Sequence, residues 1–188
     1  MRLFVAIEID EAARGAIHET QQRIASAFGS DARMLRFVRA EHLHVTLLFL
    51  GEVAEARLLP LVDALRPPIA LAPFTLTLGG VGVFPPRGAP RVLWLGLAAG
   101  AEAAIALHAQ VAARVGVPPA GHDGQAPFTP HLTLGRWRKD GPRRRSALPR
   151  MDASIASVEV RHVTLFESRL STSGPSYTAL LRTGLECR

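Results

Sequence analysis

The sequence predicts an α+β domain, and three observations predict it. Strand-like alternation of apolar residues begins almost at the first residue and returns repeatedly down the chain. Three stretches carry apolar residues at helical spacing. Several strands follow one another without an intervening helix, which favours antiparallel pairing over crossover connections.

The elements follow in order. Residues 2–9 alternate Leu3, Val5, Ile7 and Ile9 as a strand. Asp10 is a helix N-cap, and Ala13, Ile17, Ile24 and Phe28 recur at helical spacing until Gly29 stops the run. A second strand occupies 43–50 and ends at Gly51. A shorter helix starts near Pro60, a residue suited to the first helical position, with Leu61, Val62 and Leu65 facing inward. PFTLTLGGVGVF (73–84) and RVLWLGL (91–97) form a strand pair joined by the turn-rich PPRGAP. A helix at 101–115 turns Ala104, Leu107, Val111 and Val115 to one face and stops at Gly116. The loop VPPAGHDGQAP leads into a strand at 131–137, and the basic loop RKDGPRRRS separates it from strands near 154–167 and 176–183. The order is β-α-β-α-β-β-α-β-β-β, read as a single domain over residues 1–188.

Composition narrows the function classes. With 48% hydrophobic and 20% charged residues the chain is globular, and one of this length buries about 70% of its extended surface. The net charge of +6, from 22 Lys and Arg against 16 Asp and Glu, weakly favours an anionic partner such as nucleic acid. The lone cysteine, Cys187, excludes an intrachain disulfide and a Cys-rich metal site. The first apolar run is broken by Glu8 and Asp10, too early for a secretory segment, and no stretch reaches about 18 apolar residues. A soluble, cytoplasmic monomer is expected.

One small pattern recurs. HVTL stands at 44–47, HLTL at 131–134 and HVTL again at 162–165. Residues i and i+2 share one face of a strand, so His44 pairs with Thr46 and His131 with Thr133, while Val45, Leu47, Leu132 and Leu134 anchor the opposite face. Each of the first two strands follows a strand-helix unit, which hints at an internal duplication. Two imidazoles across a groove can serve as acid and base in one displacement. Two hydroxyls can donate to the non-bridging oxygens of a phosphate. No Asp or Glu lies within two residues of either histidine, so the pattern points to phosphoester cleavage with no metal and no cofactor.

The third copy differs in setting. Carried through 154–167 as one strand, even parity puts His162 and Thr164 with Val158, Val160 and Phe166 on a core-like face. There His162 is expected to bond to backbone and do no chemistry.

RLFVAIEID, RFVRAEHLHVTLLFLGEV, LGGVGVFPPRGAPRVLWLGL, PFTPHLTLGR and SGPSYTALL occur here in that order, spanning nearly the whole chain. In this the sequence resembles the bacterial RNA 2′,3′-cyclic phosphodiesterases, formerly called 2′–5′ RNA ligases, of the two-histidine phosphoesterase superfamily. The resemblance implies a bilobal α+β fold, two pseudo-symmetric antiparallel sheets with helices outside and a central cleft holding both motifs. It implies metal-independent hydrolysis of an RNA terminal 2′,3′-cyclic phosphate to a 2′-phosphate. By that likeness His44 protonates the departing 3′ oxygen, His131 takes a proton from water, and Thr46 and Thr133 hold the phosphate. The alternatives are 2′–5′ ligation of tRNA halves, a phosphodiesterase acting on a small cyclic nucleotide or ADP-ribose-like substrate, and a basic RNA-binding module with a degenerate site.

Relatives often carry Arg just before the PF-x-PH segment, where this chain has Ala126. Arg136 is the candidate substitute, but its parity matches neither His131 nor Thr133, so a bend after Gly135 is required. Phe128 at the cleft edge is a candidate base-stacking residue and Arg91 a candidate cleft residue. Phe49 and Trp94 are read as core. His42 is a turn residue, and His18 and His108 are helical and packed or solvent-facing. His122 in its loop has no supporting pattern, Arg143–Arg145 form a solvated loop or an RNA track, and Tyr177 has no derived role.

Overall fold

A computed structural model describes residues 1–118, 127–138, 148–171 and 174–187. Among them are the strands β1 (Arg2–Glu8), β2 (Leu35–Phe37), β3 (His44–Glu52), β4 (Ile69–Ala70), β5 (Phe74–Phe84), β6 (Val92–Ala99), β7 (Leu132–Trp137), β8 (Ala156–Val160), β9 (His162–Ser171) and β10 (Gly174–Glu186). The α-helices are α1 (Glu11–Phe28), α2 (Leu58–Leu65) and α3 (Ala101–Val115). The mixed α+β class stands. No helix among the described residues is long and apolar enough to cross a membrane.

The strand order is β4-β10-β9-β1-β3-β7-β6-β5-β8, with β2 on the free edge of β7. Every pairing is antiparallel except that of β4 with β10. Two half-sheets, one ending in β3 and the other in β7, meet at one residue pair, Val45 with Leu132. The two expected sheets are therefore joined by hydrogen bonds into one path. The two longer helices pack across the join: α1, which follows β1, lies against β8, and α3, which follows β6, lies against β3. Their buried faces include Ile17 and Ile24 from α1 and Leu107 and Val111 from α3, over strand residues such as Val5, Leu47, Leu95 and Leu134.

Where local signals were strong, the elements fall as expected. The Asp10 carboxylate accepts from the Ala13 amide at 2.8 Å, and the amide of Gly29 closes α1 on the Ala25 and Ser26 carbonyls. The segment 154–167 is a correction: it is two strands, not one. Its alternation runs on without a break, yet β8 pairs with β5 in one half-sheet and β9 with β1 in the other, with Arg161 between. Long-range pairing divides it, and no local pattern records that. The short strands β2 and β4 went unseen for the same reason, because two or three residues carry no period. The helix α2 begins at Leu58, two residues before Pro60, and Leu61 and Val62 are half-buried.

Replacing Asp10 with Ala removes the α1 cap and should cost about 1 kcal/mol in urea unfolding.

Candidate active site

The antiparallel pair Val45–Leu132 sets the site. The same register, carried one residue to either side, puts His44 across from Thr133 and Thr46 across from His131. The two imidazoles thus take one diagonal of a four-residue patch and the two hydroxyls the other, with diagonal neighbours about 7–8 Å apart. Val45, Leu47, Leu132 and Leu134 are buried on the opposite face, as the alternation demands.

Each histidine is held alike. His44 Nδ1 bonds the carbonyl of His42 at 2.7 Å, and His131 Nδ1 bonds that of Thr129 at 2.7 Å. A carbonyl only accepts, so Nδ1 carries the proton and Nε2 is left to gain or lose one. Rings surround both. Phe4 lies 5.0 Å from His44 and the edge of Tyr177 5.5 Å; Phe84 lies 5.1 Å from His131 and Trp94 6.2 Å. Burial pushes both imidazoles below the ordinary histidine pKa, with the Nδ1 bonds opposing and the Arg136 guanidinium pushing further down. The charge of His131 also lowers His44, which marks them as electrostatic neighbours.

Two cavities flank the patch and share Thr46 and Phe49. One, about 460 Å³, is lined by His44, Thr133, Arg136, Arg2, His42 and Tyr177 among others. The other, also about 460 Å³, contains His131 with Phe84, Phe128, Pro118, Pro127 and His108. The first is basic and the second largely aromatic. Burial pushes the Tyr177 phenol up, so it keeps its proton. Among the described residues no group of three or more His, Cys, Asp or Glu side chains is placed to hold a metal ion.

Arg136 reaches this wall because of a bulge. Leu93 pairs with Gly135 but Trp94 pairs with Thr133, leaving Leu134 as an extra residue. Leu134 and Gly135 are both buried, parity slips by one, and Arg136 emerges on the Thr133 side. The bend was expected after Gly135 and lies one residue before it, at Leu134. Glycine is needed at 135, since a Cβ there would meet the Arg36 carbonyl at 2.9 Å.

The first motif has the same irregularity and corrects the reading of Phe49. Val5 pairs with Leu48 and Ala6 with Thr46, so Leu47 is extra. Leu47 and Leu48 are both buried, and Phe49, expected in the core, is 55% exposed on the cleft wall. The guanidinium of Arg2 stands over its ring at 5.2 Å. Trp94 is a second correction: it is half-buried across from Thr133, and its indole occupies the space that any side chain at Gly82 would need. Phe128 is at the second cavity, stacked on His108 at 4.2 Å. Arg91 is exposed and lines neither cavity. His42 sits in a short turn, as read, but also lines the first cavity. His122, Ala126 and Arg143–Arg145 lie outside the described residues.

His162 is apart from the patch, and its partner is a carboxylate rather than backbone. Glu8 Oε2 accepts from His162 Nε2 at 3.0 Å, Thr164 Oγ1 at 3.0 Å and Arg182 Nε at 2.9 Å. Glu8 is not part of the 162–165 pattern, so the strand's own sequence offered no sign of it.

The family model of the 2′-5′ RNA ligase superfamily matches residues 9–172. The chain belongs to this superfamily. An RNA 2′,3′-cyclic phosphodiesterase of Archaeoglobus fulgidus is 32% identical over 181 residues, covering 96% of this chain and 98% of its own. The protein of that name from Thermus thermophilus is 36% identical over 193 residues, covering 96% and 88%. The crystal structure of E. coli LigT complexed with 3′-AMP superposes with a TM-score of 0.71 at 30% identity, covering 98% of this chain and 97% of LigT. The likeness thus extends over the whole superfamily fold, not only the motifs.

By NMR, the rings of His44 and His131 should titrate with midpoints below about 6.5. Both midpoints should rise in Arg136→Ala, because the guanidinium opposes the imidazolium form. Midpoints above 7 in the wild type would contradict this account.

Proposed function

We propose that the chain hydrolyses RNA terminal 2′,3′-cyclic phosphates to 2′-phosphates, using His44 and His131 as acid and base and no metal. The diagonal placement of the two imidazoles is the observation that carries this reading. In-line displacement needs the entering and leaving oxygens on opposite sides of phosphorus, and each needs its own proton carrier. His131, neutral at Nε2, takes a proton from the attacking water. His44, protonated at Nε2, gives one to the 3′ oxygen as its bond to phosphorus breaks. The products are a 2′-phosphomonoester and a free 3′-hydroxyl, and the two rings end with their proton states exchanged. Thr46 and Thr133 donate to the non-bridging oxygens, while Arg136 offsets their charge.

The relatives' name supports this substrate, and the 3′-AMP bound by LigT is a ribonucleoside phosphomonoester, as the proposed product is. The unlike flanking cavities support a polarity for the RNA. The terminal base lies on the aromatic side, against Phe49 and Phe128, and the preceding backbone follows Arg2 and Arg136. Ligation is the same proton traffic with a 5′-hydroxyl in place of water: it attacks the cyclic phosphate, His131 takes its proton, and the 3′ oxygen leaves with one from His44.

An EDTA-treated assay on a 2′,3′-cyclic-phosphate oligonucleotide, the matching mononucleotide and paired tRNA halves tests the reading. Loss of about 10²–10⁴-fold in both His44→Ala and His131→Ala is expected, with His162→Ala active. Activity that survives both substitutions refutes it. Because both imidazoles are neutral near pH 7, the singly protonated pair grows as pH falls toward their lowered values. The kcat/KM profile should therefore peak below pH 6.5 and decline about tenfold per unit on its alkaline limb.

Phe49→Ala should raise KM by roughly 5- to 150-fold, the loss of about 1–3 kcal/mol of base stacking. Arg2→Ala should flatten the salt dependence of oligonucleotide binding by about 0.7 in log–log slope and leave mononucleotide turnover nearly intact.

A further inference from the structure

The two motif strands share an irregularity at the same motif position, and β3 has a second one nearer its end, between the partners of Leu3 and Phe4. Leu47 and Leu134 are the fourth residues of HVTL and HLTL, each is the extra residue of a bulge, and each lies two residues beyond the pair that joins the half-sheets. Bulges re-aim side chains, and here the residue two positions on from each, Phe49 or Arg136, turns into the cleft. A bulge also disturbs the backbone ladder, and both leucines are buried, so their carbonyls need partners from elsewhere.

Each finds one on a helix. Gln21 Nε2, from the buried stripe of α1, donates to the Leu134 carbonyl at 3.0 Å and to the Val38 carbonyl at 2.9 Å. His108 Nδ1, from the buried stripe of α3, donates to the Leu47 carbonyl at 2.8 Å. The Val38 amide adds a bond to Leu134 at 2.8 Å, and the Phe128 ring covers His108. Gln21 and His108 are 4% and 3% exposed, polar side chains on helix faces that otherwise hold Ala, Ile, Leu and Val, and on α1 Thr20, whose hydroxyl bonds within its own helix to the Ala16 carbonyl. A helix face needs no amide or imidazole to pack on a sheet. Burying one is costly unless it is hydrogen-bonded, and here each meets the carbonyl of a bulge residue.

We propose that Gln21 and His108 are positioning residues for the phosphodiester chemistry, pinning the Leu134 and Leu47 bulges so that Arg136 and Phe49 stay turned into the cleft. The proposal rests on the reading of the site given above. Gln21 lines neither cavity, and His108 stacks on the Phe128 ring at the second. Each acts through the strand: without its bond, the strand relaxes toward regular alternation, which carries the residue it aims to the other face.

Double-mutant cycles test this. Gln21→Leu should raise the KM for a 2′,3′-cyclic oligonucleotide about tenfold and move the alkaline limb of the pH profile upward, as loss of the Arg136 charge does. In an Arg136→Ala background it should add less than twofold. His108→Leu should behave in the same way toward Phe49→Ala, and His108→Gln, whose amide can donate to the same carbonyl, should recover most of the loss. Multiplicative effects, an unmoved pH profile in Gln21→Leu, or a glutamine variant as damaged as the leucine variant would overturn the proposal. Met at either position provides the same comparison where Leu prevents folding. The dissociation constant of adenosine 2′-monophosphate, by calorimetry, is measured on every variant. If the wild type binds this nucleotide but turns over no cyclic phosphate, the hydrolase reading fails, and the coupling measured in binding still decides the positioning role.

Discussion

The backbone pairing of Val45 with Leu132 is the contact on which the site depends. It joins two half-sheets that otherwise end separately at β3 and β7, and it sets the register between the motifs. A slip of one residue would exchange His44 and Thr46 for Val45 and Leu47 on the cleft face. The packing of α1 and α3 across the join opposes such a slip, because moving one strand along the other would drag one of them off its buried face.

The surroundings of the two imidazoles follow from that placement. Each ring sits among aromatic side chains of its own half, Phe4 and Tyr177 around His44, Phe84 and Trp94 around His131. Aromatic walls exclude water and raise the cost of an imidazolium, which is why burial leads the causes lowering both pKa values. An anionic phosphate between the rings would offset that cost, so the protonated form the chemistry needs is favoured when substrate is present. The halves differ where specificity would need them to: the same bulge geometry presents Phe49 from one motif and Arg136 from the other.

The elements most legible in the sequence were those whose signals are local. The cap at Asp10, the stop at Gly29, the face of α3 and the His-x-Thr parity each depend on residues within a turn or a strand of one another. The likeness to known cyclic phosphodiesterases added what the residues alone left open, the pairing of two distant motifs in one cleft. Phe49 and His162 were misread for one shared reason. Each lies where strict alternation fails, Phe49 just past a bulge and His162 across a strand break imposed by distant partners.

By itself, the sequence determined the mixed α+β class, the limits of α1 and α3, and which faces of the HVTL and HLTL strands carry imidazole and hydroxyl, because backbone geometry ties these to neighbours a few residues away. Only the tertiary structure decided that Phe49 and Arg136 enter the cleft, that His162 belongs to Glu8, and that Gln21 and His108 meet the Leu134 and Leu47 carbonyls. Those outcomes depend on which strand lies beside which and where a ladder skips a residue, and such pairings leave no period in the chain that makes them.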